Sequence, residues 1–187
     1  MKVRSEDFVN QSIHRLNDIL SHVEALTQDL SYEELNTQEA AGKWSILQCL
    51  KHLSLANGIY VENIEKAFKK YPQQKDEVFS GHWKGNWFTS MITPKESGEI
   101  KNTMKTMKSM DPEKALDAQE TIDEFFRIHR AFIGLMDQSR NYSLNKVKVP
   151  TALGPLVKLR LGDAFRFLLG HTERHLLQIK RIRSAVA

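Results

Sequence analysis

The chain carries at positions 44–53 the segment Trp44-Ser45-Ile46-Leu47-Gln48-Cys49-Leu50-Lys51-His52-Leu53. Ser45 and Gln48 have the spacing of a capping box, in which each side chain binds a backbone N–H group at the start of a helix. Apolar residues then recur on one side of the predicted helix as far as Lys69-Lys70-Tyr71-Pro72, where proline ends it. The segment therefore predicts a long amphipathic helix that begins at Ser45 and carries His52 beside its apolar side.

Three further long helices are predicted from apolar residues that recur at three- and four-residue intervals. Ser5 is expected to cap the first helix of the chain, which should end near Leu30, and Ser31-Tyr32-Glu33-Glu34 has the spacing of a second capping box. The third long helix ends near Arg140 and has a short helical lead-in from Asp111-Pro112. The fourth is capped by Asp163 and extends towards the C-terminus.

Two long connectors separate these helices. Residues 72–111 lose the helical periodicity but contain many aromatic side chains, so we expect them to pack over one end of the bundle. Residues 141–160 contain proline and glycine and are expected to pair briefly as strands around Val147 and Val149. The predicted fold is all-α: one domain, 1–187, forming an up-down-up-down four-helix bundle with long connectors between helices 2 and 3 and between helices 3 and 4.

Composition and charge exclude several classes of protein. The 41% hydrophobic and 27% charged content is globular, and the formal charge of +4 comes from basic residues scattered among acidic ones. This pattern and the absence of a known nucleic-acid-binding motif argue against nucleic acid as a partner. A single cysteine, Cys49, favours a reducing compartment. No signal peptide or bilayer-length apolar stretch is present, so we expect a cytoplasmic protein without a membrane partner.

Three histidines form the candidate metal site. His171 and His175 are four residues apart and therefore project from one face of the last helix. His52 and His171 lie about 11 to 12 Å along their helices from the predicted starts, and helices 2 and 4 run parallel in the predicted topology. The three rings are therefore expected to meet. Neutral imidazoles are good ligands for a divalent ion, and a site with only three of them leaves a coordination position open. The alternative is that the three residues are core histidines satisfied by ordinary hydrogen bonds.

The remaining candidates are weaker. His14, His22 and His129 are interpreted as surface or boundary residues of amphipathic helices. His82, in the aromatic connector, could overhang the metal, although such a segment is more often a satellite hydrophobic cluster. Cys49 lies one turn before His52 and could approach the metal, but a lone helical cysteine is usually a small buried hydrophobe.

The segments 44–53, 161–166 and 171–179 resemble those of the DinB-like (DinB/YfiT) superfamily of helical metalloproteins, and the order of predicted elements agrees over nearly the whole chain. The resemblance implies a four-helix bundle, usually dimeric, and metal-ligand roles for His52, His171 and His175. Similar proteins include transferases that join a low-molecular-weight thiol such as bacillithiol to an electrophile, mycothiol-dependent isomerases and members with no known reaction.

Two function classes follow. The first is a metal-dependent enzyme, foremost a thiol-dependent S-transferase and alternatively a hydrolase, because a three-ligand site keeps an open position. The second is a non-catalytic metal or small-molecule binding protein in which the ion ties two helices together. The expected ion is zinc or nickel, with iron or manganese as alternatives. The expected partners are a small-molecule substrate, foremost a low-molecular-weight thiol, and a second copy of the chain in a homodimer.

Overall fold

Within residues 1–94 and 106–186, which the computed structural model describes, the chain forms four long α-helices, two short α-helices, two 3₁₀ turns at Lys108–Met110 and Ser139–Asn141, and two small antiparallel sheets. The elements are, in chain order, β1 Lys2–Arg4, α1 Ser5–Thr27, α2 Tyr32–Asn36, α3 Ile46–Lys70, β2 Val78–Ser80, α4 Trp83–Ile92, α5 Ala118–Gln138, β3 Lys148–Thr151, β4 Gly154–Arg160 and α6 Leu161–Val186. The predicted four long helices are confirmed, as are the strands expected in the second connector.

Local capping signals explain two helix starts. The Ser45 hydroxyl accepts a hydrogen bond from the backbone N–H of Gln48 at 3.2 Å, and the Gln48 side-chain oxygen accepts one from the backbone N–H of Ser45 at 3.0 Å. Ser31 and Glu34 form the same reciprocal pair at the start of α2. Both capping-box predictions are confirmed, because such a box needs only residues within one turn.

Three other predicted helix caps were wrong. Ser5 is the first residue of α1 rather than its cap, since β1 leads directly into the helix. The lead-in at Asp111-Pro112 is not helical; α5 is capped by Asp117, which accepts a hydrogen bond from the backbone N–H of Glu120 at 2.8 Å. Asp163 lies inside the first turn of α6, two residues after its start.

Tertiary hydrogen bonds account for the wrong predictions at Asp111 and Asp163. The carbonyl of Glu113 accepts a bond from the Gln48 side chain at 3.1 Å, which holds this lead-in outside a helix. At the start of α6, the backbone N–H groups of Leu161 and Gly162 donate to carbonyls of the preceding connector, at 3.0 and 3.1 Å. These main-chain acceptors satisfy two of the N–H groups that a side-chain cap would otherwise serve.

Helices α3 and α6 are neighbours and run antiparallel. Trp44, just before α3, packs against His175, whereas Tyr60, further along α3, packs against the earlier residue Phe167 of α6. The prediction that these two helices run parallel with their histidines at matching depth was therefore wrong. The rings still meet, because His52 lies near the start of α3 and the other two histidines lie near the middle of α6.

The whole bundle is up-down-down-up instead of the predicted up-down-up-down. Helix α5 runs parallel to α3, since Lys51 pairs with Glu124 and Asn57, further along α3, pairs with His129. Helix α1 runs parallel to α6, because Arg15 pairs with Glu173 and Arg183 donates to the carbonyl of Leu26, and both α1 and α3 pack on α5 and α6. The connector between α3 and α5 is long enough to return along the full length of the bundle, and this permits two consecutive helices with the same direction.

The first connector is described over residues 72–94 and 106–111; the expectation that it covers one end of the bundle also involves residues 95–105, which lie outside the described residues, and it stays a prediction. Strand β2 pairs with β1, and α4 then packs lengthwise against α6. Further on, the carbonyl of Met110 reaches the ring of His52 at 2.8 Å. Helix α4 and the segment around Met110 therefore lie beside the contact between α3 and α6. No helix among the described residues is long and apolar enough to cross a bilayer.

Candidate metal centre

The rings of His52, His171 and His175 lie together between α3 and α6. The Nε2 atoms of His52 and His171 are 3.2 Å apart, and one ligand-capable nitrogen from each of the three rings lies within 4.8 Å of the others. All three side chains are buried, between 7% and 8% exposed. The structure therefore brings together the three histidines that the sequence singled out.

Each of these rings uses its other nitrogen to contact an oxygen atom of the protein. These Nδ1 contacts are His52 with the Met110 carbonyl at 2.8 Å, His175 with the Gln178 side-chain oxygen at 3.1 Å, and His171 with the Asn57 side-chain oxygen at 3.4 Å. An oxygen acceptor places the ring proton on Nδ1 and leaves the lone pair on Nε2. The three lone pairs then face one another.

Asn57 is a site residue that the sequence analysis missed. Its side-chain nitrogen lies 2.9 Å from Nε2 of His129 and 3.1 Å from the hydroxyl of Thr172. His129 contacts the Phe125 carbonyl through Nδ1 at 2.7 Å, so its Nε2 must accept and the Asn57 nitrogen must donate. This direction fixes the Asn57 oxygen towards His171.

Burial keeps the three rings neutral. It lowers the pKa of His52, and it lowers that of His175 to about 3 with a further contribution from the nearby His52 ring. The pKa of His171 lies well below its ordinary value, first because of burial and then because of the two other rings. Metal binding requires neutral imidazole, so these rings are in the required state at neutral pH without an energetic cost of deprotonation.

The rings line a cavity of about 480 Å³. Trp44 stands over two of them, with ring centroids 4.8 Å from His52 and 5.9 Å from His175. The opposite wall comes from the first connector and from the hairpin β3–β4, and it is largely aromatic and aliphatic: Trp87, Phe88, Met91, Met107, Leu153. The volume of the cavity lies within the range of small-molecule binding sites.

The other predicted candidates lie elsewhere. His82 precedes α4 and accepts a hydrogen bond from the backbone N–H of Lys84 at 3.4 Å, and it is not among the cavity's lining residues. Cys49 is fully buried in the apolar core and does not join the histidine cluster. His14 and His22 are exposed as expected, but His129 is fully buried, and its surface assignment was wrong.

The donor set fits a divalent metal ion. Ligands of a tetrahedral zinc ion, at Zn–N distances of about 2.0–2.1 Å, stand roughly 3.3 Å apart, close to the separation of the His52 and His171 Nε2 atoms. The oxygen partners on Nδ1 are the supporting hydrogen bonds typical of metal-binding histidines. Three convergent lone pairs without a cation would repel one another, so a cation at this point would remove an electrostatic cost.

A helical bundle that presents three neutral imidazoles to an adjoining cavity defines a class of candidate metalloproteins. The chain belongs to the DinB superfamily, whose sequence pattern matches residues 15–179. A solved structure of similar fold, YfiT from Bacillus subtilis, is 12% identical, with a TM-score of 0.58 over 93% of this chain and 85% of that chain. YfiT is described as a probable metal-dependent hydrolase with an unusual four-helix bundle topology. No curated protein matches the sequence.

Proposed function

We propose that the chain is a metal-dependent enzyme in which His52, His171 and His175 hold one divalent ion and a small molecule reacts in the adjoining cavity. One observation carries the proposal: one ligand-capable nitrogen from each of the three rings lies within 4.8 Å of the others, and the three rings line a cavity of about 480 Å³. A purely structural zinc site is closed by four protein ligands, whereas the described residues supply three here. Zinc or nickel is the proposed ion, with iron or manganese as alternatives.

The cavity wall indicates the character of the substrate. Trp87 and Phe88 of α4 face the cavity together with Phe167 of α6, so an apolar part of a ligand would be removed from water there. Trp44 packs against two of the histidine rings and limits how far they can turn. We infer a substrate with an apolar body whose reactive group lies against the three imidazoles.

The proposed reaction is transfer of a low-molecular-weight thiol to an electrophile. With an ion bound, three uncharged ligands would leave it its full charge, which would lower the pKa of a thiol or a water molecule beside it. In the net reaction the thiol sulfur forms a bond to an electrophilic carbon, the leaving group departs with its bonding electron pair, and the thiol proton passes to solvent. The residues' part is to orient the two substrates and to exclude water from the apolar side.

Hydrolysis is the second candidate, and the similarity in fold to YfiT, described as a probable metal-dependent hydrolase, favours it. In that reaction water adds across the bond that is cleaved, and the same cavity would hold the apolar part of an ester or amide. The three histidines would have the same ligand roles in both reactions.

Cobalt-substituted protein separates the two reactions. We expect low-molecular-weight thiols, bacillithiol among them, to produce a sulfur-to-metal charge-transfer band at millimolar concentration, and we expect the band to disappear in His171→Ala. His14→Ala, an exposed histidine on α1, is the matched control and should retain it. If cobalt binds but no thiol gives the band, the transferase proposal fails. Turnover of chromogenic esters or amides by the same preparation would then support hydrolysis.

A further inference from the structure

Two basic side chains face each other across the hairpin β3–β4. Lys148 of β3 is paired with Arg160 of β4 in the antiparallel register, and the next pair, Val149 with Leu159, is buried in the core. Because side chains alternate between the two faces of a strand, Lys148 and Arg160 share the outward face. Like charges directly opposite one another destabilise a sheet, so this pair has an electrostatic cost that a bound anion would remove.

A third cation, Lys84, lies on α4, which contacts the strand β4 that carries Arg160. It lies in the first turn of α4, where no acidic residue accompanies it. Burial lowers the pKa of Lys148, and the positive charges of Arg160 and Lys84 lower it further. The carboxylate that acts on Lys148 is Asp163, which already accepts hydrogen bonds from the backbone N–H of His82 and from Arg166. Within the described part of the chain, positive charge therefore exceeds negative charge at this point.

Arg160 also has an unused hydrogen-bond donor. Its Nε atom is buried and has no hydrogen-bond partner among residues 1–94 and 106–186. A buried charged donor without an acceptor is costly, and native structures usually satisfy such a group with protein, water or a ligand. An oxyanion next to Arg160 would supply the acceptor and would neutralise the Lys148–Arg160 pair.

We propose that Lys84, Lys148 and Arg160 form a binding site for a phosphate group at the junction of the hairpin and α4, separate from the histidine cluster. A phosphate dianion matches an excess of two or more positive charges, and its several oxygens can accept from a guanidinium and two ammonium groups at once. The phosphate could belong to a soluble metabolite or to a lipid headgroup, which share this chemistry.

The test uses the full chain without metal, so that its outcome does not depend on the proposed metal chemistry. Inorganic phosphate and pyrophosphate are titrated into ¹⁵N-labelled protein at constant ionic strength, with chloride as the reference salt. We expect saturable shifts of the backbone amide signals of Lys84, Lys148 and Arg160. Lys148→Gln and Arg160→Gln should each weaken pyrophosphate binding about tenfold or more, as expected for loss of a charge-assisted hydrogen bond.

Lys158→Gln is the matched control, because Lys158 lies on the same strand and the same face as Arg160 but opposite Pro150. Unchanged pyrophosphate binding in this variant supports a local site. If Lys158→Gln weakens binding as much as Lys148→Gln and Arg160→Gln do, the attraction comes from the general positive charge of this surface, and the proposal is overturned. Absence of saturable binding at millimolar pyrophosphate would also overturn it. Co-sedimentation with phosphatidic acid vesicles, competed by pyrophosphate, would assign the phosphate to a lipid; pyrophosphate binding without co-sedimentation would assign it to a soluble ligand.

Discussion

The side-chain oxygen of Asn57 lies 3.4 Å from Nδ1 of His171, and its side-chain nitrogen is held by His129 and Thr172. Asn57 therefore links α3 to both α5 and α6 and fixes the tautomer of His171. Hydrogen bonds of this kind orient metal ligands and raise their basicity.

Replacing Asn57 by Ala should weaken metal binding roughly 10- to 100-fold, the usual effect of losing such a supporting hydrogen bond. Competition with a chromophoric chelator measures the change. Asn63→Ala is the control, because Asn63 lies on the same helix but donates to the Pro150 carbonyl in the hairpin. A folded Asn57→Ala variant with unaltered metal affinity would show that His171 needs no such partner.

Stability of the metal-free protein should fall on acidification from about pH 6.5 to about pH 4. Burial lowers the pKa of His129 from 6.5 to about 4, so between these values the unfolded chain binds more protons than the folded chain. The contribution of His129 to the free energy of unfolding, of order 3 kcal/mol, is complete above pH 6.5 and is lost as the pH falls towards 4. The three buried site histidines are shifted in the same direction and add to the slope.

Urea unfolding of metal-free protein at several pH values checks this expectation. His129→Gln should flatten the dependence on pH, whereas His14→Gln, at an exposed position, should leave it unchanged. An identical slope in the parent protein and His129→Gln would mean that His129 is not a source of the pH dependence.

How far the sequence predicts this molecule depends on the range of the interactions involved. The capping boxes of Ser31 and Ser45 were predicted correctly because their partners lie three residues away. The topology was predicted wrongly, because the direction of α5 depends on how the long connector after Lys70 packs against the bundle. The spacing of apolar residues within the connector does not encode that path. Asn57 was missed for a related reason: its partners His129 and His171 are 72 and 114 residues distant.

The histidine cluster itself was predicted from an argument that was partly wrong. The four-residue spacing of His171 and His175 correctly placed both rings on one helix face. Equal depth on parallel helices, the reason given for including His52, does not apply in antiparallel helices. The family resemblance supplied the same trio independently of topology, and the structure agrees with that grouping.

Cys49 should be unreactive in the folded protein and dispensable for metal binding. It is fully buried, and burial raises the pKa of its thiol, so little thiolate is available. Iodoacetamide should modify Cys49 only in denaturant, as followed by mass spectrometry. Cys49→Ala should keep the parent metal content, and a loss of metal in this variant would make Cys49 part of the site.

The resemblance to the DinB-like superfamily also predicts a homodimer. Light scattering across micromolar concentrations should give twice the 21.6 kDa chain mass. A monomer mass throughout that range would reject this expectation without affecting the metal site, because the three histidines come from one chain.

The most direct test of the central proposal is the metal content of protein purified without a histidine tag. The parent protein should carry about one divalent ion per chain, and single replacement of His52, His171 or His175 by Ala should remove most of it, since three ligands are the fewest usual for a catalytic site. His14→Ala should retain the parent content. Unchanged metal content in all three site variants, or a parent protein that takes up no divalent ion when it is supplied, would contradict the proposed metal centre.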